Sequence, residues 1–300
     1  MSTEMRIFIY ILVIVSISIQ SGIYLAREDW QLELLTHFPH YYTLIGLIIC
    51  AISLNKKMWK TAAIMLLLAS INFATISPYF FNTKLVEEHD ESIEILSSNF
   101  YYLNESYEEF SETLEEEDPD IFMIHEAEEW WEENKNIFKG KYPYQGFTEK
   151  KSINGMAIYS KIPGDFEFIN FAKHTALKFE TADFELIAVH PPAPVSEIFS
   201  YNRNEALAAM ANYQSDKPFM FMGDFNITPW SPYFKDLIEN STLSDSRLGF
   251  GMNPTWHHDW YMPKIPIDHA LVSPEIKVTN FRTGDVLNAD HLPIIVEIVL

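Results

Sequence analysis

The spacing of apolar residues changes character near residue 81. Before it they form long runs. Residues 7–26 are almost unbroken apolar sequence between Arg6 and Arg27, residues 38–54 form a second run, and residues 61–81 a third that contains Asn72 and Pro78. A helix needs about 20 apolar residues to cross the hydrocarbon layer. The first run has that length and the second is close to the minimum. No small-x-small cleavage site closes the first run, which favours a retained span over a removed signal peptide. After residue 81 the apolar residues come in short packets between polar turns. They predict strands at 93–100, 121–124, 157–159, 177–179, 184–189, 219–222, 270–272 and 294–299. Helical spacing predicts helices at 107–117, stopped by Asp118-Pro119, at 202–213 and at 231–239. The expected organisation is a membrane region over 1–81 with about three helices, a polar linker over 82–91, and a soluble domain over 92–300.

Charge adds orientation. Lys56, Lys57 and Lys60 lie between the second and third runs, whereas the first loop balances Arg27 against Glu28, Asp29 and Glu33. Basic loops stay in the cytoplasm. Three crossings then put the soluble domain outside it, on the periplasmic side, provided that 38–54 spans. The chain carries 42 acidic and 21 basic residues, a net charge of −21. Only Glu4, Glu28, Asp29 and Glu33 precede residue 82, so the soluble part holds nearly all of the acid. Such a domain lacks the basic stripe that gives duplex nucleic acid its non-specific affinity. Cys50 is the only cysteine, so no intrachain disulfide can form.

Polar clusters stand at the ends of the predicted strands. Asn99, Glu126 and His190 each follow one, and Gly223-Asp224-Phe225-Asn226, Ile267-Asp268-His269 and Asp290-His291 come later in that order. Singly, each is an ordinary turn that closes a strand. Jointly they supply what metal-assisted phosphoester hydrolysis requires. Carboxylates hold a hard divalent cation, an Asp orients water, an Asn polarises an oxygen, and an Asp-paired His stabilises charge on phosphorus. Other groups read as structural. His125 should face away from Glu126 on its strand, His269 reads as packing, and His257-His258-Asp259 as a solvated loop. Trp130, Trp131, Trp230, Trp256 and Trp260 read as core ahead of a substrate lip or membrane-interface belt.

From about residue 92 to the end, this order of motifs resembles the endonuclease/exonuclease/phosphatase superfamily. The likeness is strongest in Pro119-Asp120-Ile121 through Glu126, His190-Pro191-Pro192, Gly223 through Pro229, and Pro266 through Ser273. Asp224 through Pro232, with Pro254-Thr255-Trp256, looks closest to a bacterial branch whose domain follows membrane helices. The resemblance implies a four-layer α/β sandwich, two mixed β-sheets flanked by helices, after an N-terminal helical transmembrane region. It implies Glu126, Asn99 and Asp290 at a magnesium site, with manganese as the alternative ion. Asp224 would orient or deprotonate water, Asn226 hold a phosphate oxygen, His291 contact the scissile phosphate with Asp268 orienting it, and His190 assist the leaving group. Ala289 departs from the usual Ser before Asp290-His291. The resulting expectation is a membrane-anchored phosphoester hydrolase acting on a phospholipid headgroup or small phosphodiester beside the lipid bilayer. An extracytoplasmic nuclease on short or single-stranded nucleic acid and a catalytically silent scaffold are the alternatives.

Overall fold

The computed structural model describes residues 2–81, 92–148, 152–257, 263–285 and 287–300. The expected linker over 82–91 lies outside the described residues, as do His258, Asp259 and Trp260. The chain divides into two compact units, Met1–Asn82 with Trp230–Pro232, and Thr83–Pro229 with Tyr233–Leu300.

The first unit is helical. Its main helices are Thr3–Tyr24, Pro39–Asn55 and Trp59–Ile76, with short helical turns at Trp30–Leu34, Leu35–His37 and Pro78–Phe81. Ser2 caps the first helix by accepting from the Met5 N–H, and Pro39 opens the second, where its missing N–H costs nothing. Gly46 lets the second and third approach closely, since a Cβ there would lie 2.9 Å from Ala69 Cβ. The Asn72 amide donates to Gln20 Oε1 at 2.9 Å, joining the first helix to the third. Large apolar side chains stay uncovered, Ile14 at 62 % and Leu67 at 61 % exposure among them. Thr3–Tyr24 and Trp59–Ile76 are long and apolar enough to cross a membrane. Trp30–His37 with Pro39–Asn55 makes a third span only if this pair, bent by 67°, is counted as one.

Among the described residues the second unit contains twelve strands: β1 (Ile93–Asn99), β2 (Ile121–His125), β3 (Tyr144–Phe147), β4 (Met156–Ser160), β5 (Gly164–Phe171), β6 (His174–Thr181), β7 (Glu185–Ala188), β8 (Phe219–Asp224), β9 (Ser244–Asp245), β10 (Asp268–Val272), β11 (Lys277–Thr283) and β12 (Ile294–Val299). They form two six-stranded mixed sheets, ordered β11-β12-β1-β2-β4-β3 and β5-β6-β7-β8-β10-β9. Ile95, Met123, Ile158 and Val296 of one sheet pack against Leu177, Leu186, Met220 and Ala270 of the other. The alternate residues face outward beneath helices. Leu96, Phe122, Ile124 and Tyr159 meet Phe110 and Leu114 of the helix Tyr107–Glu117. Ile187 and Phe221 meet Ala206, Leu207 and Met210 of the helix Glu197–Ala211, and Phe234 and Leu237 of the helix Pro232–Glu239. Both faces of each central strand are thus covered, which is why these strands read as nearly continuous apolar runs. The four-layer α/β sandwich expected from the sequence is present.

Strand direction positions the polar clusters. β1 and β2 run parallel, with Asn99 opposite His125, so Asn99 and Glu126 leave the first sheet at the same edge. β12 runs antiparallel to β1, pairing Ile294 with Ser97, so the Asp290-His291 segment enters at that edge. In the second sheet β7 and β8 are parallel, and His190 and Asp224 leave together. β10 is antiparallel to β8, with Asp268 directly opposite Asp224.

Candidate active site

Two carboxylates lie at the centre of this edge, one from each sheet. Glu126 has a left-handed backbone, φ 60°, which turns the chain sharply as it leaves β2. Its Oε2 accepts the Tyr102 N–H at 3.1 Å. The Asn99 amide nitrogen bridges the sheets, 3.3 Å from Glu126 Oε1 and 3.1 Å from Asp224 Oδ2. Asn99 Oδ1 accepts from the Tyr101 N–H.

Asp224 is buried and flanked by imidazoles. His190 Nε2 lies 3.5 Å and His291 Nε2 3.7 Å from Asp224 Oδ2. On its far side the His291 ring pairs through Nδ1 with Asp268 Oδ2 at 2.8 Å. Asp224 Oδ1 accepts the Asn226 N–H at 2.8 Å, so the GDFN turn secures its own carboxylate. Asn226 also takes a left-handed φ of 53°. Its amide donates to the Pro191 carbonyl, and its carbonyl accepts from buried Arg203. That tie fastens the segment carrying His190 to the turn carrying Asp224.

The electrostatics follow from packing opposite charges in a dry site. Burial works against a charged His291, but Asp268, Asp224 and Asp290 outweigh it and lift its pKa to about 10. Burial likewise opposes protonated His190, yet Asp224 and Glu126 raise its pKa. For Asp224, burial favours the neutral acid and is overcome by His291, His190 and the Asn226 N–H, which hold it well below the usual carboxylate range. These shifts favour an ionised Asp224 beside a cationic His291, with His190 moved towards its charged form.

The donors fit a hard divalent cation. Glu126 and Asp224 converge on one amide nitrogen, and no lysine or arginine among the described residues pairs with either carboxylate. Carboxylate oxygens are the ligands that hard divalent cations take. A second grouping, Asp224, Asp268 and His291, offers ligand atoms within 4.8 Å of one another. There, however, His291 Nδ1 and Asp268 already bind each other, so the Glu126 side leaves the freer carboxylate. Asp290 sits beside His291 and accepts from the Trp256 indole N–H at 3.2 Å.

Residues behind these side chains hold them in place, some of them read from the sequence and some not. His125 does point away from Glu126, into the sandwich, where its Nε2 pairs with Ser97 Oγ at 3.0 Å. Burial and neighbouring His190 push its pKa down to about 3, so it is neutral packing. It also explains Gly223: with φ 143°, a Cβ there would fall 2.2 Å from the Val189 carbonyl and 2.5 Å from His125 Cε1. His174 Nε2 accepts the His190 backbone N–H at 3.1 Å, steadying that residue. Behind β10, His269 donates through Nε2 to the Ile227 carbonyl at 2.7 Å and faces Arg247 Nη1 through Nδ1 at 3.0 Å. Arg247 also donates to the Asp268 carbonyl, and Thr255 Oγ1 accepts the Asp268 N–H at 3.3 Å. His269 is therefore structural, as its position in the sequence indicated. Trp131 is core, while Trp130 stacks on Tyr107 at 3.7 Å.

The sequence matches the Endonuclease/Exonuclease/phosphatase family over residues 95–291. Among curated proteins none matches. Solved structures share the fold at low identity. An endonuclease/exonuclease/phosphatase from Beutenbergia cavernae is 16 % identical with a TM-score of 0.57, covering 70 % of this chain and 72 % of that one. The 3′ phosphatase NExo from Neisseria, bound to product DNA hairpin, is 19 % identical with a TM-score of 0.58, covering 69 % and 100 %. TDP2 from D. rerio, complexed with single strand DNA product, is 14 % identical with a TM-score of 0.57, covering 70 % and 100 %.

Proposed function

Because the chain belongs to the Endonuclease/Exonuclease/phosphatase family, we propose that it hydrolyses phosphoesters, diesters ahead of monoesters, by direct attack of water. One observation carries this reading: Asp224 Oδ2 lies between the Nε2 atoms of His190 and His291, with Asn99 tying it to Glu126. A phosphodiester repels nucleophiles through its anionic oxygens, so catalysis requires positive charge around phosphorus and an oriented water. Asp224 orients the water and takes its proton as the new P–O bond forms. His291, kept cationic by Asp268, receives the charge that builds on a non-bridging oxygen. His190 gives its proton to the departing oxygen as the old P–O bond breaks, and Asn226 holds the phosphate. Glu126, Asn99 and Asp290 would hold magnesium, or manganese in its place. When bound, such an ion withdraws charge from the phosphoryl oxygens.

The uncovered apolar helices of the first unit and the lysines at 56, 57 and 60 support membrane anchoring, with the catalytic domain on the periplasmic side. A phospholipid headgroup or small phosphodiester is the favoured substrate, since a net charge of −21 opposes long nucleic acid. Single-stranded DNA is the second reading, favoured by the DNA product carried by NExo and TDP2. The test is hydrolysis of bis-p-nitrophenyl phosphate, phospholipid vesicles and single-stranded DNA by the full chain, with magnesium and with chelator. Turnover that needs the metal and disappears in Asp224→Ala supports the reading. Turnover that survives both removes it, and a steep loss of DNA cleavage with salt would select the nuclease.

A further inference from the structure

We propose that the groove between the three main helices of the first unit is a lipid site, holding one acyl chain that is joined to its headgroup through an amide. The proposal rests on the membrane-anchoring reading above and is independent of the hydrolytic one. The groove has a volume of about 210 Å³ and is lined by Thr3–Tyr24, Pro39–Asn55 and Trp59–Ile76 together.

Its amide side chains gather at one end. Gln20 and Asn72 each stand four residues before the end of their helix, and Tyr42 three residues after the start of its own. All three line the groove. The buried Asn72 amide donates to Gln20 Oε1 and to the Leu68 carbonyl, both at 2.9 Å. Both of its hydrogens are then used, so Asn72 offers its oxygen and Gln20 its nitrogen. Neither atom has a further partner among the described residues. Polar groups left unpaired in hydrocarbon are costly. One acceptor beside one donor is the complement of a secondary amide, which gives an N–H and accepts at its carbonyl. An ester satisfies only the Gln20 nitrogen.

The rest of the groove is apolar apart from Ser16, whose hydroxyl donates back to the Leu12 carbonyl. It reaches from Gln20 to Leu12, from Tyr42 to Ile49 and from Asn72 to Met65, a run of about 10–12 Å on each helix. Thr3–Tyr24 has 22 residues, which matches the ~30 Å hydrocarbon layer. The groove therefore begins about one turn below the membrane surface and ends near the midplane. That is the reach of a chain in one leaflet, the periplasmic one on the proposed topology. A partner helix would have to cross both leaflets, and at about 10–12 Å across it would need several times this volume. Val15 and Ile45 line the groove and are each 48 % exposed, so a chain can enter sideways from the bilayer.

The test reconstitutes the full chain in phosphatidylcholine vesicles with N-methyl dodecanamide carrying a diazirine at its chain end, and maps the photolabel by mass spectrometry. Label should concentrate at the apolar end, on Leu12, Ile49 and Met65, over Ile14 and Leu67, which are 62 % and 61 % exposed. Unlabelled N-methyl dodecanamide should compete about threefold better than methyl dodecanoate, the usual effect of one hydrogen bond within a membrane. Gln20→Leu and Asn72→Leu should erase that difference. Ile45→Trp fills the opening without touching the Gln20–Asn72 pair and should cut the labelling, which keeps the site testable if the leucine variants fail to fold. Equal label on Ile14 and Leu67, equal competition by amide and ester, or labelling that Ile45→Trp leaves unchanged would overturn the site. An alkaline carbonate wash of the same vesicles separates the two readings. A chain that washes off removes the anchoring and the groove together. A chain that stays, with no excess label in the groove, overturns the groove alone.

Discussion

Asp224 shows how one side chain's chemistry depends on its neighbours. Alone, a buried carboxylate would be neutral; between His190 and His291 it is held ionised. Asp224→Ala and His291→Ala should each lower turnover of bis-p-nitrophenyl phosphate by about 10³-fold or more, while circular dichroism and thermal unfolding stay near those of the native chain. Loss of folding in both would shift their role from chemistry to structure. Glu126→Gln keeps the shape and removes the charge. It should weaken the apparent magnesium affinity by roughly 10–100-fold, as altered metal-site shells do, read from activity against metal concentration. Gly223 answers to backbone geometry. Gly223→Ala puts a methyl group against the Val189 carbonyl and His125 at a φ of 143°. It should destabilise the domain by about 2 kcal/mol or more, measurable by denaturant unfolding. At this scale the sequence was legible for residues at strand ends, since Asn99, Glu126, His190 and Asp224 do come together at one edge of the sheets. It was illegible where a residue serves another's backbone. Nothing near His174 or Arg247 in the sequence indicates that one holds the His190 N–H and the other the Asp268 carbonyl.

Among elements, the central strands declared themselves because packing on both faces leaves uninterrupted apolar runs, and the helix Tyr107–Glu117 by the helical spacing of Tyr107, Phe110 and Leu114. The edge strands did not. β5 alternates charged and aromatic residues with most of its length exposed or half-exposed, and β11 carries Lys277, Asn280 and Arg282 beside a register shift. Exposure dilutes the periodic signal on which strand recognition rests. Yet such an edge strand can carry a cross-link between layers. Arg282 of β11 forms a two-pronged pair with Glu117, the last residue of the helix Tyr107–Glu117, through Nη1 at 2.9 Å and through Nη2. The hydrogen bonds from Arg282 depress the Glu117 pKa below its ordinary 4.5. A carboxylate with a lowered folded-state pKa stabilises the fold above its unfolded pKa, and that contribution fades as pH falls through the folded value. The native domain should therefore lose stability on acidification below about pH 4.5 partly through this pair. Glu117→Gln should flatten that part of the profile and cost about 0.5–1 kcal/mol near neutral pH, discounted because the pair is partly exposed. Thermal unfolding of the full chain from pH 3 to pH 7 checks both, and parallel profiles for native and variant chains would dismiss the pair.

Across the whole molecule, two contrasts in the sequence bear on where the chemistry happens. Apolar residues concentrate before residue 82 and acidic ones after it, and the helices of the first unit keep large apolar side chains uncovered. How often the chain crosses a membrane depends on one element. Thr3–Tyr24 and Trp59–Ile76 each suffice for a span, while Pro39–Asn55 follows a turn bent by 67° from Trp30–His37. The hydrophobic run alone could not reveal this bend, because apolarity reports burial in lipid or protein and not direction. The charges supply the missing constraint. Lys56, Lys57 and Lys60 follow Pro39–Asn55 directly, and holding them in the cytoplasm requires that this helix bring the chain back across. On the proposed topology there are three crossings and Leu300 lies outside. An alkaline phosphatase fused after Leu300 should accordingly be active, and a green fluorescent protein fused there dark. Replacing Lys56, Lys57 and Lys60 together with Gln should reduce the phosphatase signal by weakening the bias that fixes the second loop. A bright fluorescent fusion and silent phosphatase in the native chain would mean that Pro39–Asn55 turns back within the membrane. The domain would then face the cytoplasm, and its substrate would have to be sought there.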